Sequence, residues 1–229
     1  MKIGILGSGN VAQTIGEKLL SLGHEVMVSS RDMRKEKTMW GDKKLPSAAD
    51  WVRMMRDNGF KASGGSFSEA ARFGETILNC TSGLATLEVI DGAGRDNFKG
   101  KVLVDIANPL DFSKGSPPSV AFCGEESLGE RVQKALPDAK VVKTLNTVNA
   151  MVMVDPSLVK GDHDMFVAGN DAGSREWVSE TLLKKWFGWK SVVDLGDLTA
   201  ARATESYLPL WLKVMNATGT PHFNLKIVR

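Results

Sequence analysis

The sequence predicts a doubly wound α/β fold built on a mainly parallel sheet, on three observations. Short apolar runs with strand character recur at 2–6, 24–28, 60–62, 76–80, 101–106, 140–143, 164–169 and 190–194. Segments with helical spacing of apolar residues separate them, as expected of parallel strands joined by crossover helices. The first run enters a glycine-rich turn that opens directly into a helix. With 229 residues, 42% of them apolar, the chain can bury one substantial core.

The first strand ends in Gly7-Ser8-Gly9-Asn10-Val11-Ala12, a GxGxxA pattern in strand–turn–helix context. Gly7 suits the tight exit, Gly9 lets the backbone approach a pyrophosphate, and Ala12 keeps the helix close to the sheet. Val11, Ile15 and Leu19 form the helix's apolar stripe, and Gly23 stops it. Free N–H groups and the positive end of the helix dipole then face phosphate. These residues predict a Rossmann-like dinucleotide site. An NAD site expects an acidic residue about 20 positions beyond the glycines. Here that place holds Ser29-Ser30-Arg31, with Arg34 and Lys35 behind. A hydroxyl and a guanidinium match the charge and acceptor oxygens of a 2′-phosphate, which favours NADP(H). Asp32 keeps a second pairing with the ribose open. For Arg34 and Lys37 an ordinary solvated helix start is preferred.

Further along, Ser47 with Asp50 has capping-box spacing, and Trp51, Val52 and Met55 make the apolar face of a helix ending near Asn58-Gly59. Phe60 to Ala62 is a short third strand, and Ser66 with Glu69 repeats the cap. The fourth strand leads into Thr81-Ser82-Gly83, and the fifth into Asn108-Pro109. Both turns leave the carboxyl ends of parallel strands, where an open sheet binds ligands, and border the nicotinamide side. Leu84, Leu87 and Val89 or Ile90 mark the helix between them. The loop from Asp111 to Gly124 lacks a helical period and is long enough to be functional or mobile. Ser127 with Glu130 caps a helix carrying Leu128, Val132 and Leu136, stopped at Pro137.

After the sixth strand come Asn146, Thr147 and Asn149, short uncharged groups able to orient a carboxamide or a ring edge. The last two strands flank a helix with Ser174, Trp177, Val178, Leu182 and Trp186 and extend the sheet. The division expected is 1–155 for the nucleotide, and 156–229 for the extension and a small helical part. Thr199 is an N-cap candidate, and Arg202 and Glu205, one turn apart, are expected to pair with each other. The apolar segment 207–215, interrupted by Pro209, is core or a face for a second subunit.

Net charge is only +2, with no basic stripe interleaved with aromatics, so nucleic-acid binding is not expected. Cys80 and Cys123 have neither metal nor redox spacing. No secretory leader or membrane span is visible, and a cytoplasmic protein is expected. His24, His163 and His222 make no metal spacing, and no catalytic acid or base stands out.

Taken together, Gly7 to Ala12, Ser30-Arg31 with Lys35, Asp105 to Pro109, Lys143 to Thr147 and Asp194 to Arg202 resemble the coenzyme F420-dependent NADP oxidoreductase family. The cytoplasmic reductase domains of STEAP metalloreductases are similar to it. The resemblance covers essentially the whole chain. It implies NADP(H) as cofactor, with Ser30, Arg31 and Lys35 at the 2′-phosphate, and hydride transfer to a small-molecule ring acceptor, F420, FMN or FAD. It also implies a homodimer and brings Asn146 and Thr147, with Leu198, Thr199 and Ala200, to the acceptor side. Two other readings stand beside it: an NADP-dependent dehydrogenase of a small hydroxy or imino substrate, and an NADP(H)-binding redox sensor without turnover. The dehydrogenase needs a general acid, for which Lys143 and Tyr207 are the candidates.

Overall fold

The computed structural model describes residues 1–38, 44–115, 118–122 and 124–228. Cys123 and part of the 111–124 loop lie outside the described residues. The sheet comprises β1 (Lys2–Leu6), β2 (Glu25–Ser29), β3 (Ala62–Gly65), β4 (Thr76–Asn79), β5 (Val102–Asp105), β6 (Lys140–Thr144), β7 (Asp164–Gly169) and β8 (Ser191–Asp194). Their order is 8-7-6-5-4-1-2-3. All neighbours run parallel except β6 and β7, paired with Val142 opposite Gly169 and Thr144 opposite Val167. The last two strands thus extend one sheet.

Helices α1 (Asn10–Ser21), α2 (Ala48–Asp57) and α6 (Ala150–Val154) cover one face, joined there by a wide π-helical stretch, Val178–Phe187, which continues α7 (Ala172–Trp177). Helices α3 (Phe67–Phe73), α4 (Thr86–Ala93), α5 (Leu128–Ala135) and α8 (Ala201–Ser206) cover the other. Side chains alternate between the two cores: Leu78, Val104 and Val142 belong to the first, and Ile77, Leu103 and Val141 to the second. That alternation is the period of two that a strand buried on both faces must show. α9 (Leu208–Thr218) starts at Pro209's turn, so the proline begins a helix and does not kink one.

Capping worked as the local sequence requires. Ser66 with Glu69 and Ser127 with Glu130 form complete capping boxes, and the Ser47 hydroxyl accepts from Asp50 N–H. Four expectations are corrected. The third strand is Ala62–Gly65, because register with β2 sets Val26 opposite Ala62 and Ser29 opposite Gly65, while Phe60 stays exposed. Within the long loop, Leu110–Asp111 pairs antiparallel with Ser119–Val120, so its described part is not without structure. Asp197, not Thr199, accepts the capping hydrogen bond at Leu198–Ala200: its carboxylate takes Thr199 N–H at 2.9 Å. Arg202 and Glu205 do not pair with each other, because each meets a partner on α5, Arg202 reaching Glu130 and Glu205 the backbone of Leu128 and Gly129.

Among the described residues no helix is long and apolar enough to cross a membrane, and no cluster of three or more His, Cys, Asp or Glu residues could hold a metal ion.

Candidate active site

The two glycines of the first turn are glycines for different reasons. Gly7 has φ +115°, and a Cβ there would lie 2.7 Å from the Cys80 carbonyl oxygen, so the protein's own backbone demands glycine. Gly9 has φ −82°, open to any residue, and a Cβ on it would meet nothing within 4 Å. Nothing among the described residues requires a glycine at position 9. α1 begins here without a side-chain cap and without an acidic residue in its first turn, which leaves its N–H groups to an outside anion. Buried Gln13 steadies the turn from behind, donating to Ser8 O at 3.2 Å and Pro46 O at 3.0 Å. Asn10 and Val11 form the first turn of α1.

At the end of β2, the Ser30 hydroxyl donates to Asp32 O at 2.9 Å, and Asp32 Oδ1 accepts Arg34 N–H at 2.9 Å. Asp32 is therefore folded back onto its own turn. Arg31 is exposed and reaches across to Glu88 on α4 at 3.1 Å, while exposed Lys35 makes no ion pair among the described residues. Since β1 lies between β2 and β4 in the sheet, this contact spans the mouth above the glycine turn.

The carboxyl ends of β4, β5 and β6 form the adjoining rim. A Cβ on Gly83 would lie 2.1 Å from the Asn108 carbonyl oxygen, so the turn containing Thr81 and Ser82 is pressed against the one containing Asn108 and Pro109. Asn108 Nδ2 donates to Asn146 O at 2.7 Å, and Asn146 Nδ2 returns a bond to Asn108 Oδ1 at 3.0 Å. Leu145, between β6 and Asn146, is the one non-glycine with positive φ among the described residues, at +62°. Strain of this kind collects where a side chain must be aimed. It turns Asn146 onto Asn108, and buried Thr147 holds a hydroxyl with no partner. Asn149 is accounted for as the cap of α6, accepting Met151 N–H at 3.0 Å.

Beneath the rim lies a fully buried ion cluster. Lys143 meets Asp105 at 2.9 Å and Glu205 at 2.8 Å, all three side chains having no exposure, and donates as well to Ala107 O. Asp105 Oδ1 also takes Asn79 Nδ2 at 2.8 Å, and Asn79 Oδ1 takes the Thr81 hydroxyl at 2.7 Å. Glu205 accepts Leu128 N–H at 2.7 Å and Gly129 N–H at 3.1 Å. Burial alone would pull the Lys143 ammonium down, but the two carboxylates hold its pKa above the ordinary lysine range. With no exposure and both carboxylates on its ammonium, Lys143 is not presented to a substrate as the general acid of a small-substrate dehydrogenase must be. Sequence reasoning missed Asp105, Glu205 and Glu88 as partners; the available signal was a lysine inside a buried strand, which demands counter-charges from elsewhere.

The remaining candidates come from later elements. Because β7 reverses direction, β8 releases the chain at the edge where the parallel strands begin: Gly169 N–H donates to Gly196 O at 3.0 Å, and Leu198 N–H to Asn170 Oδ1 at 3.1 Å. Leu198 is buried and packs toward Gly129, Thr199 is exposed, and Ala200 is half-buried. A Cβ on Gly129 would lie 3.5 Å from Leu198 Cδ1 and 3.7 Å from Lys143 Cδ, so this segment packs beside the buried ion cluster. His24 lies against Trp186 with ring centres 4.2 Å apart, and His163 bonds Pro156 O and Asn224, both at 3.0 Å. Desolvation pushes the Cys80 thiol well up, so it stays protonated.

Residues 2–109 match the family model described as NADP oxidoreductase coenzyme F420-dependent. A crystal structure from Arthrobacter sp. FB24, provisionally assigned as an F420-dependent NADP-reductase, shares 43% identity over the whole of both chains with a TM-score of 0.89. The F420-dependent NADP reductase of Methanocaldococcus jannaschii is 29% identical over 92% of this chain and 90% of its own. Metalloreductase STEAP3 of Rattus norvegicus is 26% identical over 92% of this chain but only 38% of its own.

Proposed function

The chain belongs to the coenzyme F420-dependent NADP oxidoreductase family, and from that premise we propose that it moves a hydride between NADP(H) and a deazaflavin (F420) or flavin ring, FMN or FAD. The observation that carries this is Gly9, a glycine the protein has no need of, at the uncapped start of α1. The residues present fit the nucleotide. Gly7, Ser8, Gly9, Asn10 and Val11 hold the pyrophosphate on backbone N–H groups, and Ser30, Arg31 and Lys35 take the 2′-phosphate. Asp32 Oδ1 accepts Arg34 N–H, which draws this carboxylate toward its own turn. Thr81, Ser82, Asn108, Pro109 and Asn146 border the nicotinamide, and the free Thr147 hydroxyl serves the acceptor side. Bound NADP(H) supplies the hydride at nicotinamide C4. The protein's part is to orient the reacting rings and exclude water, which calls for no acid or base.

In this reading residues 1–155 carry the nucleotide. Residues 156–229 extend the sheet, support the rim through Glu205 and complete the acceptor pocket, with Leu198, Thr199 and Ala200 as the acceptor-side candidates beside Thr147. The protein works in the cytoplasm as a homodimer, for which exposed Leu210 on α9 is a candidate contact; light scattering tests the mass. The functional test pairs Gly9→Ala with an acceptor assay. The variant should keep the wild-type melting temperature yet lose about tenfold or more in NADPH affinity, because only a ligand meets the new methyl. Wild-type protein should oxidise NADPH with F420, or with FMN, FAD or riboflavin and ferric iron, followed at the cofactor absorbance bands. Absence of turnover with every ring acceptor overturns the proposal.

A further inference from the structure

The contact between Arg31 and Glu88 joins the residue assigned to the 2′-phosphate with a carboxylate from the far side of the crevice. The two side chains are 68% and 69% exposed and 3.1 Å apart. Arg31 leaves β2, Glu88 lies in the first turn of α4 beyond β4, and β1 with its glycine turn lies between the two strands. Glu88 has no other ion-pair partner among the described residues, and neither side chain is packed in the core. The pair can open at little cost, since exposed ion pairs are weak and screened.

We propose that Glu88 is a specificity-determining residue, an internal anion that occupies Arg31 until a 2′-phosphate displaces it. The inference rests on the NADP(H) reading above. A guanidinium offers its fork to one anion at a time in good geometry, and a phosphate with close to two negative charges and three acceptor oxygens outcompetes one carboxylate. The 2′-hydroxyl of NAD(H) carries no charge and leaves Arg31 on Glu88. Glu88 therefore weakens NADP(H) binding by the strength of one surface ion pair and leaves NAD(H) binding untouched. The exchange also keeps Arg31 extended across the mouth when the crevice holds no nucleotide, so that the guanidinium is not free to recruit arbitrary anions.

The test is a double-mutant cycle on the full-length protein, with NADPH and NADH dissociation constants read by fluorescence titration at low salt. Glu88→Gln should tighten NADPH about 1.5- to 5-fold and leave NADH unchanged. The gain should vanish in the Arg31→Ala background, where nothing remains to compete for, and shrink as salt is raised. An unchanged or weaker NADPH constant in Glu88→Gln overturns the proposal, as does an equal gain in the Arg31→Ala background, which would reduce Glu88 to a general repulsive charge. Failure of the underlying reading looks different: wild-type protein would then show no preference for NADPH over NADH before any variant is made. Both positions are solvent-exposed, and unchanged melting temperatures verify that the variants fold.

Discussion

Two regions of this molecule pair a cation with carboxylates to opposite ends. At the mouth of the crevice, Arg31 and Glu88 meet at 3.1 Å with about two-thirds of each side chain in water. Under the rim, Lys143 holds Asp105 at 2.9 Å and Glu205 at 2.8 Å with no exposure at all. Water screens the first pair and stands ready to solvate either partner, so the bond is exchangeable. Enclosure denies the second cluster that substitute, so removing one member strands a charge in a low-dielectric interior. The lesson concerns where function can reside. A contact that is cheap to break can be traded for a ligand, whereas one that cannot be broken sets the geometry of the turns around it. Lys143 ties Ala107 O, Asp105 and Glu205 together, and through Asn79 the knot reaches Thr81.

The sharpest way to break this contrast is Lys143→Met. Two carboxylates lose their counter-charge, and the loss of folding stability should be about 3–5 kcal/mol, read by urea denaturation. A variant as stable as wild type would show that the cluster is no knot. Next in size is Arg31→Ala, which should raise the NADPH dissociation constant roughly tenfold to a hundredfold while leaving NADH nearly unchanged and stability intact. Equal losses for the two nucleotides would remove Arg31 from the phosphate. The smallest effect comes from a pair between the extremes. Arg202 holds Glu130 through two bonds, with side chains 40% and 14% exposed, and its guanidinium lowers the Glu130 carboxyl from 4.5 to about 2. Because the folded value lies below the ordinary one, this contribution is complete above about pH 4.5 and is lost as pH falls toward 2. Glu130→Gln should thus lower the melting temperature by about a few degrees at neutral pH, where the contribution is complete, and flatten its further fall over that window. An acid limb as steep as that of wild type would place the titrating group elsewhere.

Much of the architecture is visible in the chain because its causes are local. Capping at Ser66 and Ser127 closes over three residues, the stripe of Ile15 and Leu19 over two helical turns, and the Gly7 to Ala12 turn within one connection. β3 runs on past the 60–62 that the sequence predicts, because Ser63, Gly64 and Gly65 have no strand propensity of their own and pairing with β2 makes them a strand. The π-helical course of 178–187 likewise has no mark in a periodicity that suits an ordinary helix.

The residues alone settle the glycine turn, the uncapped helix start behind it and the cationic end of β2, since each needs only its sequence neighbours. Partner choice and strand direction belong to the tertiary structure. Arg202 and Glu205 sit at helical spacing yet each bonds to α5, and β7 runs antiparallel to β6 although every other neighbouring pair in the sheet is parallel. An ion pair forms with whichever counter-charge folding brings within about 4 Å, and a strand runs the way its neighbour's hydrogen bonds allow. Both are contacts between residues far apart in the chain, and no local pattern encodes them.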